Sequence, residues 1–173
     1  MINAQDETLN QPDTASSSDR MRATKAPKTK RSNKKKNALK VKRTFSSSQV
    51  SPYDQVEWDK RVAEITDGKG KVIFRQEDVE VPKTWSMLAT NVVVSKYFYG
   101  EQDTNEREYS VRQLIHRVSR TIADWGIKDG YFNKTDGEIF YNELSWLCLN
   151  QYGAFNSPVW FNVGLYHEYG VGR

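Results

Sequence analysis

The sequence lacks the features that mark several classes of protein. Its 173 residues include one cysteine, Cys148, so no disulfide can form within the chain, which is typical of a reducing compartment. No apolar run approaches the roughly 20 residues that a membrane-spanning helix needs. The N-terminus also lacks the basic start and apolar segment of a secretory signal. These absences predict a cytoplasmic protein without a membrane partner.

Positive charge is concentrated in one segment of the chain. From Arg20 to Arg43 there are 12 Lys or Arg and no acidic residue, whereas the residues after Arg43 hold 14 Lys or Arg against 18 Asp or Glu. Residues 1–40 also contain almost no large apolar side chains, which predicts a disordered basic tail. Such a tail can bind phosphates by counterion release. A polyanion- or nucleic-acid-binding protein is therefore one possible function, although a solvated tail without a partner explains the same residues.

Beyond residue 40 the pattern predicts an α+β fold, mainly helical with one β-hairpin. Asp67–Gly70 supply a turn between two runs with alternating apolar positions, and Pro82 ends the second run. The segment Thr84–Tyr99 has apolar residues at helical spacing, but its Val92–Val94 run also suits a strand.

Two further helices carry clearer signals. Ser110 and Gln113 form a capping box before an amphipathic segment, and Gly126 marks its predicted end. The next helix is predicted to begin near Thr135, with Glu138 completing a second capping box. The apolar stripe of the first of these helices comprises Val111, Leu114, Ile115, Val118, Ile122 and Trp125, whereas Arg112, Arg117, Arg120 and Asp124 are predicted to face elsewhere.

The residue types that carry chemistry do not cluster in a recognisable site. His116 is predicted on the polar side of its helix, and His167 stands beside Glu168 with no converging ligands, so both are read as surface histidines and no metal site is predicted. Cys148 lies at the margin of an apolar helix face, which favours packing over nucleophilic chemistry. Three hairpin carboxylates are read as a solvated face: Glu77, Asp78 and Glu80.

The segment GAFNSPVWFNVG, residues 153–164, is the least ordinary in the chain. Pro158 biases Ser157 toward an extended conformation and cannot donate a ladder hydrogen bond, so the segment is predicted to enter or edge a sheet. Val159–Phe161 would then pack as a strand. From the residues alone, an edge strand is favoured over a ligand-binding role for the Ser157 hydroxyl.

Several motifs in one order resemble a known family. The stretches SPYDQVEW, DVEVPKTWSMLATNVVVSKYF, SVRQLIHRVSRTIADWG, DGYF and AFNSPVWFNVG are similar to the N-terminal region of adenosylcobalamin-dependent (class II) ribonucleotide reductases, over about Val41–Arg173. The resemblance implies reduction of ribonucleotides to 2′-deoxyribonucleotides, begun by homolysis of the cobalt–carbon bond and carried by a cysteine thiyl radical. It also implies a helical N-terminal region leading into a ten-stranded α/β barrel.

Together with the tail, residues 1–40, the resemblance divides the chain into a helical N-terminal domain with the hairpin, residues 41–154, and the incomplete start of the catalytic barrel at its first strand, residues 155–173. In the family the serine of the NSP motif contacts the ribonucleotide substrate, a role that carries over to Ser157. Asn156 and Pro158 match the motif, and we assign them only a shaping role.

No catalytic residue is predicted in this chain, because the family's reactive cysteines lie beyond the position that matches Arg173 and Cys148 matches none of them. The adenosylcobalamin is expected to be bound by the full enzyme and not by these residues. An N-terminal piece that is inactive alone, with the remainder of the reductase as its partner, is therefore the leading interpretation. Without a partner, Val159–Phe161 would form an exposed apolar edge. A gene remnant without function is the third interpretation.

Overall fold

The structure, a computed structural model, describes residues 38–171. It confirms an α+β fold composed of an antiparallel hairpin and helices, whereas the ten-stranded barrel stays a prediction. After a 3-10 turn at Pro52–Asp54, the elements in chain order are β1 (Trp58–Thr66), β2 (Val72–Pro82), α1 (Met87–Tyr97), α2 (Val111–Lys128), α3 (Lys134–Leu149), α4 (Ser157–Asn162) and α5 (Leu165–Tyr169).

The hairpin forms where the turn signal predicts it. The Asp67 carboxylate accepts hydrogen bonds from the backbone N–H groups of Lys69 (2.8 Å) and Lys71 (2.9 Å), and Gly70 adopts φ +80°. Only glycine reaches this left-handed region without steric cost, so the turn is encoded locally. On the inner face of the hairpin, Ala63 and Val79 are fully buried against the helices.

The ambiguous segment before α2 is a helix. Ser86 accepts a hydrogen bond from the backbone N–H of Ala89 (3.1 Å) and so caps the start of α1. Val94 of the valine run is fully buried, whereas Val92 points outward with 40% of its surface exposed. Tertiary packing on one side of α1 therefore outweighs the strand preference of three consecutive β-branched residues.

The capping box of α2 is confirmed, but the predicted end of this helix at Gly126 is wrong. Gln113 Oε1 accepts from the Ser110 backbone N–H (3.1 Å), while Ser110 Oγ accepts from the Arg112 backbone N–H (3.0 Å). Gly126 does not end the helix, which continues to Lys128; a Cβ at Gly126 would overlap the ring of Phe132. Close packing, not a terminal turn, explains this glycine.

The orientation of α2 also differs from the predicted single stripe. Arg117, predicted to face outward, is buried with 1% exposure, and Trp125, predicted to face inward, is 43% exposed. The helix runs through the middle of the domain, in contact with α3, the hairpin and the shorter helices, so more than one of its faces is covered. Burial on additional faces brings a polar side chain inside.

The start of α3 uses a different cap from the predicted one. Asn133 occupies the N-cap position and accepts from the backbone N–H of Asp136 (2.8 Å), so the helix begins at Lys134 and no capping box forms between Thr135 and Glu138. Glu138 instead forms an ion pair with Arg120 of α2 (2.9 Å). The hydrogen-bonding partner of Glu138 thus comes from tertiary structure and not from its own helix terminus.

The strand predicted at Val159–Phe161 is wrong, whereas the assignment of residues 155–173 to the start of the catalytic barrel stays a prediction. Ser157–Asn162 form α4, with Pro158 in the first turn, where a missing N–H breaks no intrahelical bond. A short α5 follows after Gly164, which adopts φ +86°. The same proline that suits an edge strand also suits a helix start, and tertiary contacts select the helix.

Residues 38–50, the N-terminal strap, lie along α3. The backbone N–H of Leu39 donates to the Tyr131 carbonyl (2.7 Å), and that of Val41 donates to the Asp136 carboxylate (3.0 Å). The predicted disorder of residues 1–40 therefore does not extend to 38–40, whereas residues 1–37 lie outside the described part. Within residues 38–171, no helix combines the length and apolar character needed to cross a membrane.

Candidate functional site

Ser157, the one residue for which a binding role is predicted, is the first residue of α4. Its Oγ lies 3.0 Å from the phenolic oxygen of Tyr97, the last residue of α1. The Ser157 side chain is half-buried, and each hydroxyl can act as donor or acceptor. The structure thus holds this hydroxyl with a partner that could reorient toward a ligand.

Aromatic packing surrounds this hydrogen bond. The Tyr97 ring stacks on Trp160 at 6.4 Å between centroids, and Phe161 tilts against the same ring at 5.4 Å. Trp160 is buried, whereas Phe161 is 45% exposed. The exposed apolar edge predicted at Val159–Phe161 is therefore wrong for Trp160. A strand alternates its side chains between two faces, whereas this helix directs Trp160 into the core and Phe161 outward.

A cavity of about 490 Å³ lies beside Tyr97 and Trp160. Its size falls in the range of small-molecule sites, and its walls are mainly apolar and aromatic, as in such sites. The walls include Trp85, Tyr97, Cys148, Tyr152, Phe155 and Trp160.

A larger open groove of about 700 Å³ runs past Arg75 and Arg107, away from Ser157. Its arginines are already engaged: Arg75 pairs with Glu64 and Glu77, and Arg107 donates to the carbonyls of Val94 in α1 and of Phe98 just after it. The smaller, aromatic cavity is therefore the better candidate for a functional site.

A fully buried ion pair lies behind α4. Arg117 Nε is 2.9 Å from Glu108 Oε1, and neither side chain is exposed to solvent. The Glu108 carboxylate also accepts from the backbone N–H of Tyr99 (2.8 Å) and from the hydroxyl of Tyr169 in α5 (2.8 Å). Its negative charge is thus compensated by a cation and by two further donors, as a charge out of water requires.

The same arginine caps the C-terminal end of α4. Arg117 Nη1 donates to the carbonyls of Val163 (2.8 Å) and Trp160 (3.2 Å), which no intrahelical N–H could satisfy at this end of the helix. Gly164 follows, and a Cβ at this position would overlap the Arg117 side chain. Arg117 is thus the tertiary contact that favours a helix over the predicted strand.

The structure places the other predicted residues as follows. Cys148 is buried in the core, and burial raises the pKa of its thiol to about 12, which confirms a packing role. His116 is not a plain surface histidine, since it is half-buried and its Nδ1 lies 2.7 Å from the Tyr141 hydroxyl. Across residues 38–171, no group of three or more His, Cys, Asp or Glu could hold a metal ion.

Among the hairpin carboxylates, Glu77 and Asp78 are exposed as predicted. Glu80 is not part of that solvated face, because it is half-buried and accepts a short hydrogen bond from Ser110 Oγ, with Arg112 Nε 3.7 Å away. This hydrogen bond of Glu80 connects the hairpin to the start of α2. The solvated face is therefore smaller than the strand pattern suggested.

The sequence pattern missed three contributors to this region: Tyr97, Glu108 and Arg117. A signal for Arg117 is present in the residues around it, because four positions of α2 that lie off the apolar stripe are small. These residues, all buried, are Ser119, Thr121, Ala123 and Gly126. Small side chains on several sides of one helix indicate that neighbouring elements approach it closely, and an arginine among them is then a candidate for burial.

The alternative function through the basic tail has no support in the described part of the chain. Most of its basic residues lie in 1–37, outside the described residues. Of those that are described, Lys40 pairs with Asp136 (3.3 Å), and Arg43 donates to Ser46 Oγ (2.6 Å) and the Ser47 carbonyl (2.8 Å). Polyanion binding by this tail remains a prediction.

Comparison with known proteins identifies the family. Residues 59–151 match the family model of the class II vitamin B12-dependent ribonucleotide reductases. The chain is 63% identical over 123 residues to the vitamin B12-dependent ribonucleotide reductase of Rhodopirellula baltica, which covers 70% of this chain and 12% of that protein. It is 45% identical over 128 residues to the reductase of the same name from Streptomyces coelicolor, with 73% and 13% covered.

A third relative, the vitamin B12-dependent ribonucleotide reductase of Streptomyces avermitilis, is 46% identical over 132 residues, or 75% of this chain and 14% of that protein. The chain thus spans only a small fraction of the length of the relatives that it matches, at their N-terminal region. With a family model over more than half of its residues and these identities, the chain belongs to the class II vitamin B12-dependent ribonucleotide reductases.

Proposed function

We propose that this chain is the N-terminal part of a ribonucleoside-diphosphate reductase and that it contributes Ser157 to the ribonucleotide site. The observation that carries the proposal is the placement of the Ser157 hydroxyl, 3.0 Å from Tyr97 and beside an aromatic cavity, within a chain of this family. A serine hydroxyl held by a phenol can donate to a phosphate or ribose oxygen while the phenol retains its other contacts.

The radical chemistry is assigned to the remainder of the enzyme. Cys148, the one thiol of the chain, is buried among core side chains, which suits packing. Adenosylcobalamin would supply the initiating radical when bound elsewhere in the full enzyme, and we expect the chain to be inactive alone.

The partner that we propose is the remainder of the reductase, and the outer face of α1 is where it would dock. Met87, Leu88 and Val92 are 49%, 74% and 40% exposed, and Phe161 of the adjacent α4 is 45% exposed. Apolar side chains on the solvent side of a helix favour a protein interface. Because the relatives are several times longer than this chain, the missing length of the same enzyme is the occupant that we assign.

The role of Ser157 is testable in a chimeric reductase. Residues 41–173 of this chain would replace the similar segment of the Rhodopirellula baltica enzyme, and reduction of ribonucleoside diphosphates would be measured with adenosylcobalamin. Ser157→Ala is expected to raise KM about tenfold or more, because one hydrogen bond to a charged group is lost. Ser48→Ala, at an exposed serine of the strap, is the matched control and should leave KM unchanged.

The chain alone should reduce no ribonucleotide in the same assay. Activity of the isolated chain would overturn the assignment of the chemistry to the remainder. A Ser157→Ala chimera that is indistinguishable from the Ser48→Ala control would overturn the role of Ser157.

A further inference from the structure

We propose that Arg117, itself held by Glu108, is a positioning residue that fixes Ser157 for ribonucleotide binding. This inference rests on the proposed function of Ser157 and extends it to a residue that makes no contact with the Ser157 side chain.

The guanidinium of Arg117 uses every N–H that it has. Nε and Nη2 donate to the two oxygens of Glu108 at 2.9 and 3.2 Å, Nη1 donates to the Val163 and Trp160 carbonyls, and Nη2 also donates to the Tyr97 carbonyl at 3.3 Å. Five hydrogen bonds match the five donors of an arginine. A lysine offers three donors in a different geometry and cannot satisfy the same set.

These bonds join the two elements whose side chains meet at Ser157. Tyr97 provides both the carbonyl that Arg117 contacts and the phenol that contacts Ser157 Oγ. Trp160 and Val163 lie within or next to the six-residue helix that Ser157 begins. The distance between the Tyr97 and Ser157 hydroxyls is therefore set from the opposite end of α4 by one buried side chain.

Few other hydrogen bonds fix the orientation of α4. Within residues 38–171, Asn156 at its N-cap position makes no side-chain capping bond, and Asn162 donates to Pro158 inside the same helix (2.8 Å). A helix of six residues has little stability of its own. Packing of Val159, Trp160 and Val163 against the core holds it in place, while the directional bonds at its end come from Arg117.

The first test measures hydrogen exchange in the 173-residue chain. Three amides report on the segment, those of Val159 and Trp160 in α4 and that of Val163 at its C-cap, because each donates to a carbonyl of residues 156–159. Arg117→Lys is expected to accelerate their exchange about tenfold or more while the hairpin amides keep their rates. Arg120→Lys, on the same helix but with partners near the surface, is the matched control and should change neither set.

A second variant covers the case in which Arg117→Lys does not fold. Tyr169→Phe removes one donor to Glu108 without altering any charge. It should accelerate the same amides about threefold, a smaller effect, because Glu108 keeps its other donors. Equal acceleration throughout the domain, or none in α4 with either variant, would overturn the positioning role.

The second test is a double-mutant cycle in the chimeric reductase. Arg117→Lys alone should raise KM with little change in kcat, as loss of substrate binding does. Combined with Ser157→Ala it should add little further, because both changes act through one hydroxyl. Additive effects would overturn the inference. If Ser157→Ala itself changes nothing, the proposed function fails, while the exchange experiment still decides whether Arg117 orders α4.

Discussion

Glu108 and Glu143 are both buried carboxylates, but the protein compensates their charges in different ways. Glu108 pairs with Arg117, the residue of α2 that hydrogen-bonds to the end of α4. Glu143, on α3, accepts instead from the backbone N–H groups of Thr44 (3.0 Å), Phe45 (2.9 Å) and Ser46 (2.8 Å) and from Ser46 Oγ (2.5 Å). One carboxylate thus orders a helix beside the candidate site, and the other fastens the N-terminal strap.

The comparison shows that backbone N–H groups can compensate the charge of a buried carboxylate without a cation. Burial alone would raise the pKa of Glu143, but the hydrogen bonds from Ser46 and from the backbone of residues 44–46 outweigh it and hold the pKa below its usual range. The two arrangements also differ in how much stability the loss of one partner removes. Removing Arg117 would leave an unpaired charge in the core, whereas no single donor to Glu143 carries the whole of its compensation.

The largest effect is therefore expected from Arg117→Met. Glu108 would be left buried without its cation, which costs about 3–5 kcal/mol of unfolding free energy in comparable pairs. Urea unfolding followed by circular dichroism measures the loss. Arg120→Met, whose ion pairs lie near the surface, is the control and should lose much less. Equal losses for the two variants would show that the Glu108 charge is compensated without Arg117.

A smaller, pH-dependent effect is expected at Glu143. Because its folded pKa is depressed, its contribution to stability is present above the ordinary carboxyl pKa of about 4.3 and is lost as pH falls toward the folded value. Glu143→Gln should cost about 1.5–3 kcal/mol at pH 7, the usual value for hydrogen bonds to a charged group. The gap between wild type and variant should narrow between pH 5 and pH 3, as measured by urea unfolding at each pH. A gap that widens on acidification would mean that the folded pKa is raised.

The smallest effects are expected from single hydroxyl donors. Ser46→Ala removes one donor to Glu143, and Tyr169→Phe removes one donor to Glu108. Each should cost about 1.5 kcal/mol or a little more, because the acceptor is charged and keeps its remaining donors. Thermal unfolding of the two variants side by side provides the measurement. A loss for Ser46→Ala as large as that for Glu143→Gln would show that the hydroxyl, and not the backbone, holds the strap.

The sequence predicts those parts of the fold that local chemistry determines. The turn at Asp67–Gly70 and the capping box of Ser110 and Gln113 form as predicted, because their partners lie within five residues. The helix at Ser157–Asn162 was missed because its C-terminal carbonyls are satisfied by Arg117, more than 40 residues away along the chain. Local propensity could not decide between an edge strand and a helix where the deciding donor is remote.

In the candidate site, too, the sequence predicts what a local motif determines and misses what tertiary packing determines. Ser157 was identified through its motif, yet its contact with Tyr97 and the buried pair behind it depend on which faces of α1 and α2 are covered. Likewise, the binding of the strap by Glu143 joins residues nearly one hundred positions apart. Amphipathic patterns describe a helix with one buried face and are misleading for a central helix such as α2.

Gly164 adopts φ +86°, and a Cβ there would overlap both the side chain and the backbone carbonyl of Arg117. Only glycine reaches this region of φ without steric cost, and the carbonyl of residue 117 stays in place whichever side chain it carries. In a library randomised at both positions, almost every functional clone should therefore retain glycine at 164, whatever residue stands at 117. Compensation between the two positions is not expected, because no substitution at 117 removes the backbone atoms that occupy this space.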